Sequence, residues 1–417
     1  MPKQLSKIGT VTKKLLRFSF FTFLAIIILL NLFIVLSGRF YLYKGIANTY
    51  LVGQAGPTIY ERDIFAYTTI ESDNIDQWET HTDLNNYTLS KKDQQLMESL
   101  GTKAFLVFRG DTLLYEKYWD SHKKTTVSNS FSAAKTVVAL LIGIAIEEGS
   151  IKSLDEPVGN YLKAYKSNGK EKITIRHLLM MASGLDWQES AKNPLSENAE
   201  SYYGSDLWGL VNRQKVIEEP GKTFKYQSGN SQLLGFIIEK ATGKTVSEYT
   251  EEKLWKKIGA EQEAYWTFDK ENGDEKSFCC FYASARDFGR LGKLILNKGK
   301  VGNETVVPEW YMNEMTKLVE MDTEEGIPNQ RYGLHIWLYN NNNNPIMYCR
   351  GIKGQYIANI PSEKLTIVRI GMERKDNFVL PKNFKGVNRK LVEDKVGHPK
   401  DFFEYMRVGQ EISKAIK

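Results

Sequence analysis

Residues 18–38, "FSFFTFLAIIILLNLFIVLSG", carry no charged side chain. In a bilayer, backbone N–H and C=O groups find no water, so a run like this can only be helical there. At a rise of about 1.5 Å per residue it spans roughly 30 Å, one hydrocarbon core. Signal-peptide cores are shorter, about 7–15 residues. No small-x-small cleavage site follows, because "LSGRFYLYKG" turns bulky at once. The expectation is a retained single-pass signal anchor in the cell membrane. Residues 1–17 then form a basic cytoplasmic tail, 18–38 cross the membrane, and the rest is extracytoplasmic, periplasmic or extracellular. A long, cleaved signal peptide is the alternative.

The tail also accounts for the charge. Lys3, Lys7, Lys13, Lys14 and Arg17 contribute +5 with no acid, so the net +6 leaves only +1 for the other 400 residues. A nearly neutral body gives no basis for nucleic-acid binding. Three cysteines, Cys279, Cys280 and Cys349, are too few for a disulfide framework. Adjacent cysteines rarely pair without strain, so a bridge would join Cys349 to one of the others. Small buried hydrophobes is the preferred reading for all three.

Residues 39–98 are polar and aperiodic, a membrane-proximal linker or N-terminal extension, and 99–417 form the globular domain. "KAFLVFRGDTLLYEKYW" predicts a hairpin at 103–119 around "RGD". Helices are expected from Ser132 to Gly149, in "ITIRHLLMMASGL", in "NSQLLGFIIEKATGK", in "VSEYTEEKLWKKIG", in "SARDFGRLGKLILNKG" and at the C-terminus. Residues 186–220 show few regular signals, and a loop that long is often functional. "YGLHIWLY", "PIMYCR", "GQYIANIP" and "KLTIVRIGM" predict successive antiparallel strands, with asparagines 340–344 as an exposed turn. Strands at both ends with helices between them indicate an α+β body.

The chemistry centres on "NSFSAAKTVVALLIGIAIEEGS". Ser-x-x-Lys occurs three times, at Ser121/Lys124, Ser132/Lys135 and Ser167/Lys170. Only Ser132/Lys135 opens a long apolar helix. Residues i and i+3 share a helix face, so Lys135 reaches the Ser132 hydroxyl. Burial lowers a lysine pKa, as a general base requires. The competing reading is Ser132 as a cap with Lys135 snorkelling to solvent. In "PGKTFKYQSGNSQLL", Tyr226 and Ser228 precede a helix, and a phenol near a cation can relay protons. In "YCRGIKGQYIANIP", Gly351 and Gly354 within a strand pattern mark close backbone approach or a bulge. Asp186 and Trp187, and Tyr202 and Tyr203, are candidates for the pocket edge. His177 has no local acid partner and reads as structural. No His-x-x-x-His or Cys-x-x-Cys pair favours a metal site, and no cofactor is expected.

The order Ser-x-x-Lys, Tyr-x-Ser, glycine-rich strand resembles the serine β-lactamase and penicillin-binding superfamily. The text resembles its class C-like branch, which includes esterases, D-amino-acid peptidases and 6-aminohexanoate-dimer hydrolase. "SFSAAK", "SLDEPVGNYL", "PGKTFKYQSGNSQLLGFIIEKATGK" and "YASARDFGRLGKLIL" agree, and the likeness covers about residues 99–375. The resemblance implies a β-lactamase-like α+β fold, an antiparallel sheet flanked by helices with a helical subdomain. It implies Ser132 as acylated nucleophile, Lys135 as base and Tyr226 as proton relay. Backbone N–H groups of Ser132 and Ile352 would form an oxyanion hole. Ser228, Gly351, Lys353, Gly354 and Gln355 would meet substrate, with Trp187 nearby. The chain departs from the lactamase pattern at Cys349-Arg350-Gly351, where "KTG" is expected, and "GIKGQ" resembles the "GIHGQ" of the nylon-oligomer hydrolase. Without that lysine, a small-molecule or peptide-like amide or ester is the better substrate expectation than a β-lactam. A D-Ala-D-Ala-type peptidase, or a non-catalytic binding or sensor domain of the same fold, remain the alternatives.

Overall fold

The run "LTIVRIG" is mostly β-branched and apolar, and it forms a central strand buried along its whole length. The computed structural model describes residues 2–73, 75–190, 192–340, 344–375, 377–380 and 397–416, with side chains from residue 14 onward. Its main sheet has seven strands: β1 (Glu79–Thr80), β2 (Thr102–Arg109), β3 (Thr112–Tyr118), β4 (Trp337–Tyr339), β5 (Ile346–Gly351), β6 (Gln355–Ile360) and β7 (Leu365–Gly371). The spatial order is β4-β5-β6-β7-β2-β3-β1. All neighbours are antiparallel except the short edge pair β1–β3. The N-terminal hairpin therefore closes on the last strand, with Val107 opposite Ile367.

Helices cover both faces. The helices include, in chain order, α1 (Pro2–Ser37), which stands off the body, α2 (Tyr41–Asn48), α3 (Ala134–Glu147), α4 (Glu197–Tyr203), α5 (Ser228–Thr242), α6 (Ala285–Leu296) and α7 (Lys400–Ala415), with further short helices such as Lys91–Ser99 and Glu309–Met315. Successive residues of β7 face opposite layers, as a strand requires. Thr366 meets Gly292 of α6, and Ile367 meets Gly409 of α7. A second, four-stranded antiparallel sheet orders Tyr67–Ile70, Ala264–Thr267, Phe281–Ser284 and Val127–Asn129. Its last strand runs directly into Ser130–Ser132. Residues Ala134 to Ala145 of α3 are buried on every side, against α5 and the sheets.

The expected hairpin and α+β layering are present. Three details differ. Only Trp337–Tyr339 of "YGLHIWLY" is strand, because His335 takes φ +55 and turns the chain. Residues 341–343 of the asparagine turn lie outside the described residues. Within 186–220, α4 and Leu207–Asn212 are helical, since Ser196 and Asp206 accept the backbone N–H of Ala199 and Gly209. The segment 39–98 supplies α2, a strand of the small sheet, β1 and the helix Lys91–Ser99.

All three cysteines are buried, as expected, but the expectation about their pairing is corrected. Cys279 and Cys280 are joined to each other, and Cys349 is free and buried. Cys280 adopts φ +65, and this turn in the chain brings the two neighbouring sulfurs together.

Candidate active site

Ser132 sits in a single turn, Phe131–Ala133, that joins the small sheet to α3. Phe131 is held at φ +46, an unusual conformation for a bulky residue. Its N–H donates to Asn129 Oδ1 at 2.8 Å, which fixes the turn. The Ser132 side chain is partly exposed at the base of a cavity of ≈ 160 Å³.

Lys135 follows one turn later and is only 1% exposed. Its Nζ donates to Ser132 Oγ at 3.2 Å and to the Phe278 carbonyl at 2.7 Å. It also lies 5.3 Å from the centre of the Tyr226 ring. Burial pushes the Lys135 pKa down to about 8, against an upward pull from Glu189. The lysine does not snorkel. The other two Ser-x-x-Lys pairs make no such site: Ser121 and Lys124 are exposed, and Lys170 donates to the Asn212 carbonyl.

Tyr226 flanks Lys135, and the Ser132 hydroxyl lies close enough to its phenol to act on its pKa. Its ring packs on Tyr332 and Trp337. Burial, and secondarily Glu189, raise its pKa, while the Ser132 hydroxyl and the charge of Arg350 lower it. The Arg350 guanidinium stacks 3.4 Å from the centre of the Trp337 ring. Thus Arg350 belongs to the Tyr226 side of the site. Lys353 lies instead near Glu61.

Gly351 ends β5 against the turn that carries Ser132. A Cβ there would overlap the Ser130 carbonyl oxygen, so only glycine lets the strand come this close. Ile352 follows and lines the same cavity as Ser132. Gly354 packs on Arg369. Gln355 is buried, donating to the Ile352 and Gly371 carbonyls at 3.1 and 2.7 Å. Neither Gly354 nor Gln355 lines the cavity; both fix the backbone next to it.

Two further residues organise the site without a motif to announce them. Glu189 accepts the Ser228 N–H at 2.7 Å, the Ser228 hydroxyl at 2.8 Å and the Trp187 indole N–H at 2.9 Å. It lines the cavity above Ser132 and also a polar cavity of ≈ 480 Å³ on the Tyr226 side. Trp187 itself is buried. Its carboxylate neighbour two positions on was the signal, because alternate residues of an extended segment share a side. Arg369 of β7 is fully buried, and its Nη1 donates to the Lys353 and Gly354 carbonyls, both at 2.8 Å. Its Nη2 donates to the Leu100 carbonyl at 2.7 Å. A lone arginine within "LTIVRIG" was its signal. Tyr202 and Tyr203 both line the cavity above Ser132, and Asp186 lines the polar one. His177 completes a capping box with Thr174 and is structural.

Residues 89–371 match the Beta-lactamase family profile. The chain is 26% identical over 298 residues to the 6-aminohexanoate-dimer hydrolase of Paenarthrobacter ureafaciens, covering 66% of this chain and 74% of that one. It is 26% identical over 245 residues to the teichoic acid D-alanine hydrolase of Staphylococcus aureus, covering 55% of this chain and just over half, 56%, of that protein. Among solved structures, a Bacillus anthracis protein provisionally named as a 6-aminohexanoate-dimer hydrolase superposes with TM-score 0.69 at 20% identity, over 86% of this chain and 94% of that one. A family VIII carboxylesterase superposes with TM-score 0.53 at 15% identity, over 75% and 98%. At these identities the structural likeness concerns the fold.

Proposed function

The chain belongs to the Beta-lactamase family, and from that premise we propose that it is a membrane-anchored, extracytoplasmic serine hydrolase cleaving an amide or ester through an acyl-enzyme on Ser132. The observation that carries this reading is the buried Lys135, its Nζ 3.2 Å from Ser132 Oγ and its pKa brought down to about 8. A lysine poised there can take the serine proton near neutral pH.

In the proposed reaction, Ser132 Oγ bonds to the substrate carbonyl carbon as its proton passes to Lys135. The oxyanion is met by the backbone N–H groups of Ser132 and Ile352. One such donor is worth on the order of 3 kcal/mol. Tyr226 carries the proton to the departing nitrogen or oxygen as that bond breaks. Water then attacks the acyl-enzyme, giving up a proton along the same path, and the acid is released. No metal or cofactor enters these steps.

The anchor reading is supported by an apolar helical stretch of 24 residues, Lys14–Ser37, almost none of it packed against the body. The basic residues before it favour a cytoplasmic N-terminus. Likeness to a 6-aminohexanoate-dimer hydrolase and a teichoic acid D-alanine hydrolase favours an amidase or esterase over a lactamase, as does the missing lysine at Cys349-Arg350-Gly351.

The experiment is intact-mass analysis of the full chain in detergent after fluorophosphonate treatment. One adduct on the parent and none on Ser132→Ala is expected. Equal labelling of both would place the nucleophile elsewhere, and no labelling of either would favour a binding domain.

A further inference from the structure

The cavity above Ser132 shares a wall with the segment that leaves α1. Leu42 and Ile46 of α2, with Tyr50 beyond it, line this cavity together with Phe131 and Ile352. Three hydrogen bonds hold this wall in place. Tyr41 Oη donates to the Pro194 carbonyl at 3.0 Å, and Arg39 Nη1 to the Leu195 carbonyl at 3.0 Å. Tyr43 Oη donates to Asn31 Oδ1 of α1 itself at 2.8 Å. Asn31 lies inside the apolar stretch Lys14–Ser37, near its outer end. The start of α2 is therefore folded back beside the last turns of α1.

The outer side of the same segment is apolar and uncovered. Phe40, Tyr43, Leu51 and Val52 are all exposed, Leu51 by 77%. Aromatic and aliphatic side chains clustered at the end of an apolar helix are the composition of the headgroup layer. So one side of this wall faces Ser132, and the other faces the level where a bilayer would begin.

We propose that the cavity above Ser132 receives the hydrocarbon chain of a membrane-resident amphiphile, with its ester or amide bond held at Ser132. The inference rests on the anchored-hydrolase reading. It also assigns the two ends of the substrate. Tyr226, which hands a proton to the leaving group, lines the polar cavity and not the mainly apolar one. The chain thus belongs to the acyl part, and the departing alcohol or amine is the hydrophilic part. Continuity of the cavity wall with the anchor is what favours an amphiphile over a soluble short-chain substrate.

The test uses the full chain in phosphatidylcholine–phosphatidylglycerol vesicles and two fluorophosphonates, one with an ethyl and one with a dodecyl chain. With each, Ser132 Oγ bonds to phosphorus, fluoride departs and the proton goes to Lys135. Labelling rates are measured for the parent and for Ile46→Trp, which narrows the cavity beside Ser132. The long probe should label the parent at least about tenfold faster, since chain burial gains with each methylene. Ile46→Trp should remove most of that ratio. Partitioning of the long probe into vesicles is common to both proteins and cancels in the comparison, as does any unfolded fraction, which labels with neither probe. Equal rates for the two probes on the parent, or a ratio unchanged in Ile46→Trp, would overturn the inference while leaving the serine hydrolase intact. Absence of labelling by either probe would overturn the hydrolase reading itself and the inference with it.

Discussion

The Glu189 carboxylate takes both the backbone N–H and the hydroxyl of Ser228, at 2.7 and 2.8 Å. This pair ties the 186–220 segment to the start of α5, two residues after Tyr226. It also sets a negative charge facing Lys135, whose pKa it pulls upward against burial.

Removing that charge has a definite sign. In Glu189→Gln the Lys135 pKa falls further below about 8, so the free amine is available at lower pH. The rising limb of the pH profile for fluorophosphonate labelling should move to more acid values. Stopped-time labelling from pH 5 to pH 10 reads it. A limb that stays in place or moves to higher pH would count against direct coupling of these two groups.

Lys135→Met separates chemistry from stability. Acylation should fall by about 10²–10⁴-fold, the usual worth of a positioned general base. Burial lowers the folded-state pKa from 10.5 to about 8, so the fold disfavours the ammonium. That cost is fully present below about pH 8 and fades as pH rises toward 10.5. At pH 7 the variant should therefore be more stable, by roughly 1–3 kcal/mol after the lost bond to the Phe278 carbonyl is counted. Thermal melts at pH 7 and pH 10 check this, with the gain expected only at the lower pH.

Arg369 supports the segment proposed to supply the Ile352 N–H. Arg369→Met leaves the carbonyls of Leu100, Lys353 and Gly354 without their buried donor. A loss of about 2–5 kcal/mol is expected from the buried carbonyls left unsatisfied. Arg369→Lys keeps the charge but not the fork, and should lose acylation rate while remaining folded. Circular-dichroism melts and labelling rates distinguish the two effects. An Arg369→Lys protein that labels at the parent rate would remove Arg369 from any positioning role.

The vicinal pair Cys279–Cys280 predicts a simple mass pattern. With iodoacetamide in denaturant and no reductant, only Cys349 should be alkylated. After reduction all three cysteines should react. Three adducts without reductant would show that the adjacent thiols are not joined.

Local rules made much of this protein readable in its sequence. The apolar run 18–38, the hairpin around Gly110, the buried helix after Ser132 and the strand run "LTIVRIG" each follow from hydrophobic period, and period is a property of near neighbours. Ser132 and Lys135 are three residues apart, so their meeting needed only a helix. What tertiary structure alone decided are contacts between segments far apart in the chain. The Phe278 carbonyl that holds Lys135, the Glu189 charge beside it and the Arg369 fork under Gly354 come from separate elements brought together by the sheet. The adjacent cysteines paired because the chain turned at Cys280, a backbone state their identity does not dictate. The same holds for α2. Its sequence marks it as polar lead-in, and only packing against α4 and Asn31 made it the wall of the cavity above Ser132. Side-chain periodicity records which face is buried, but not which distant surface buries it.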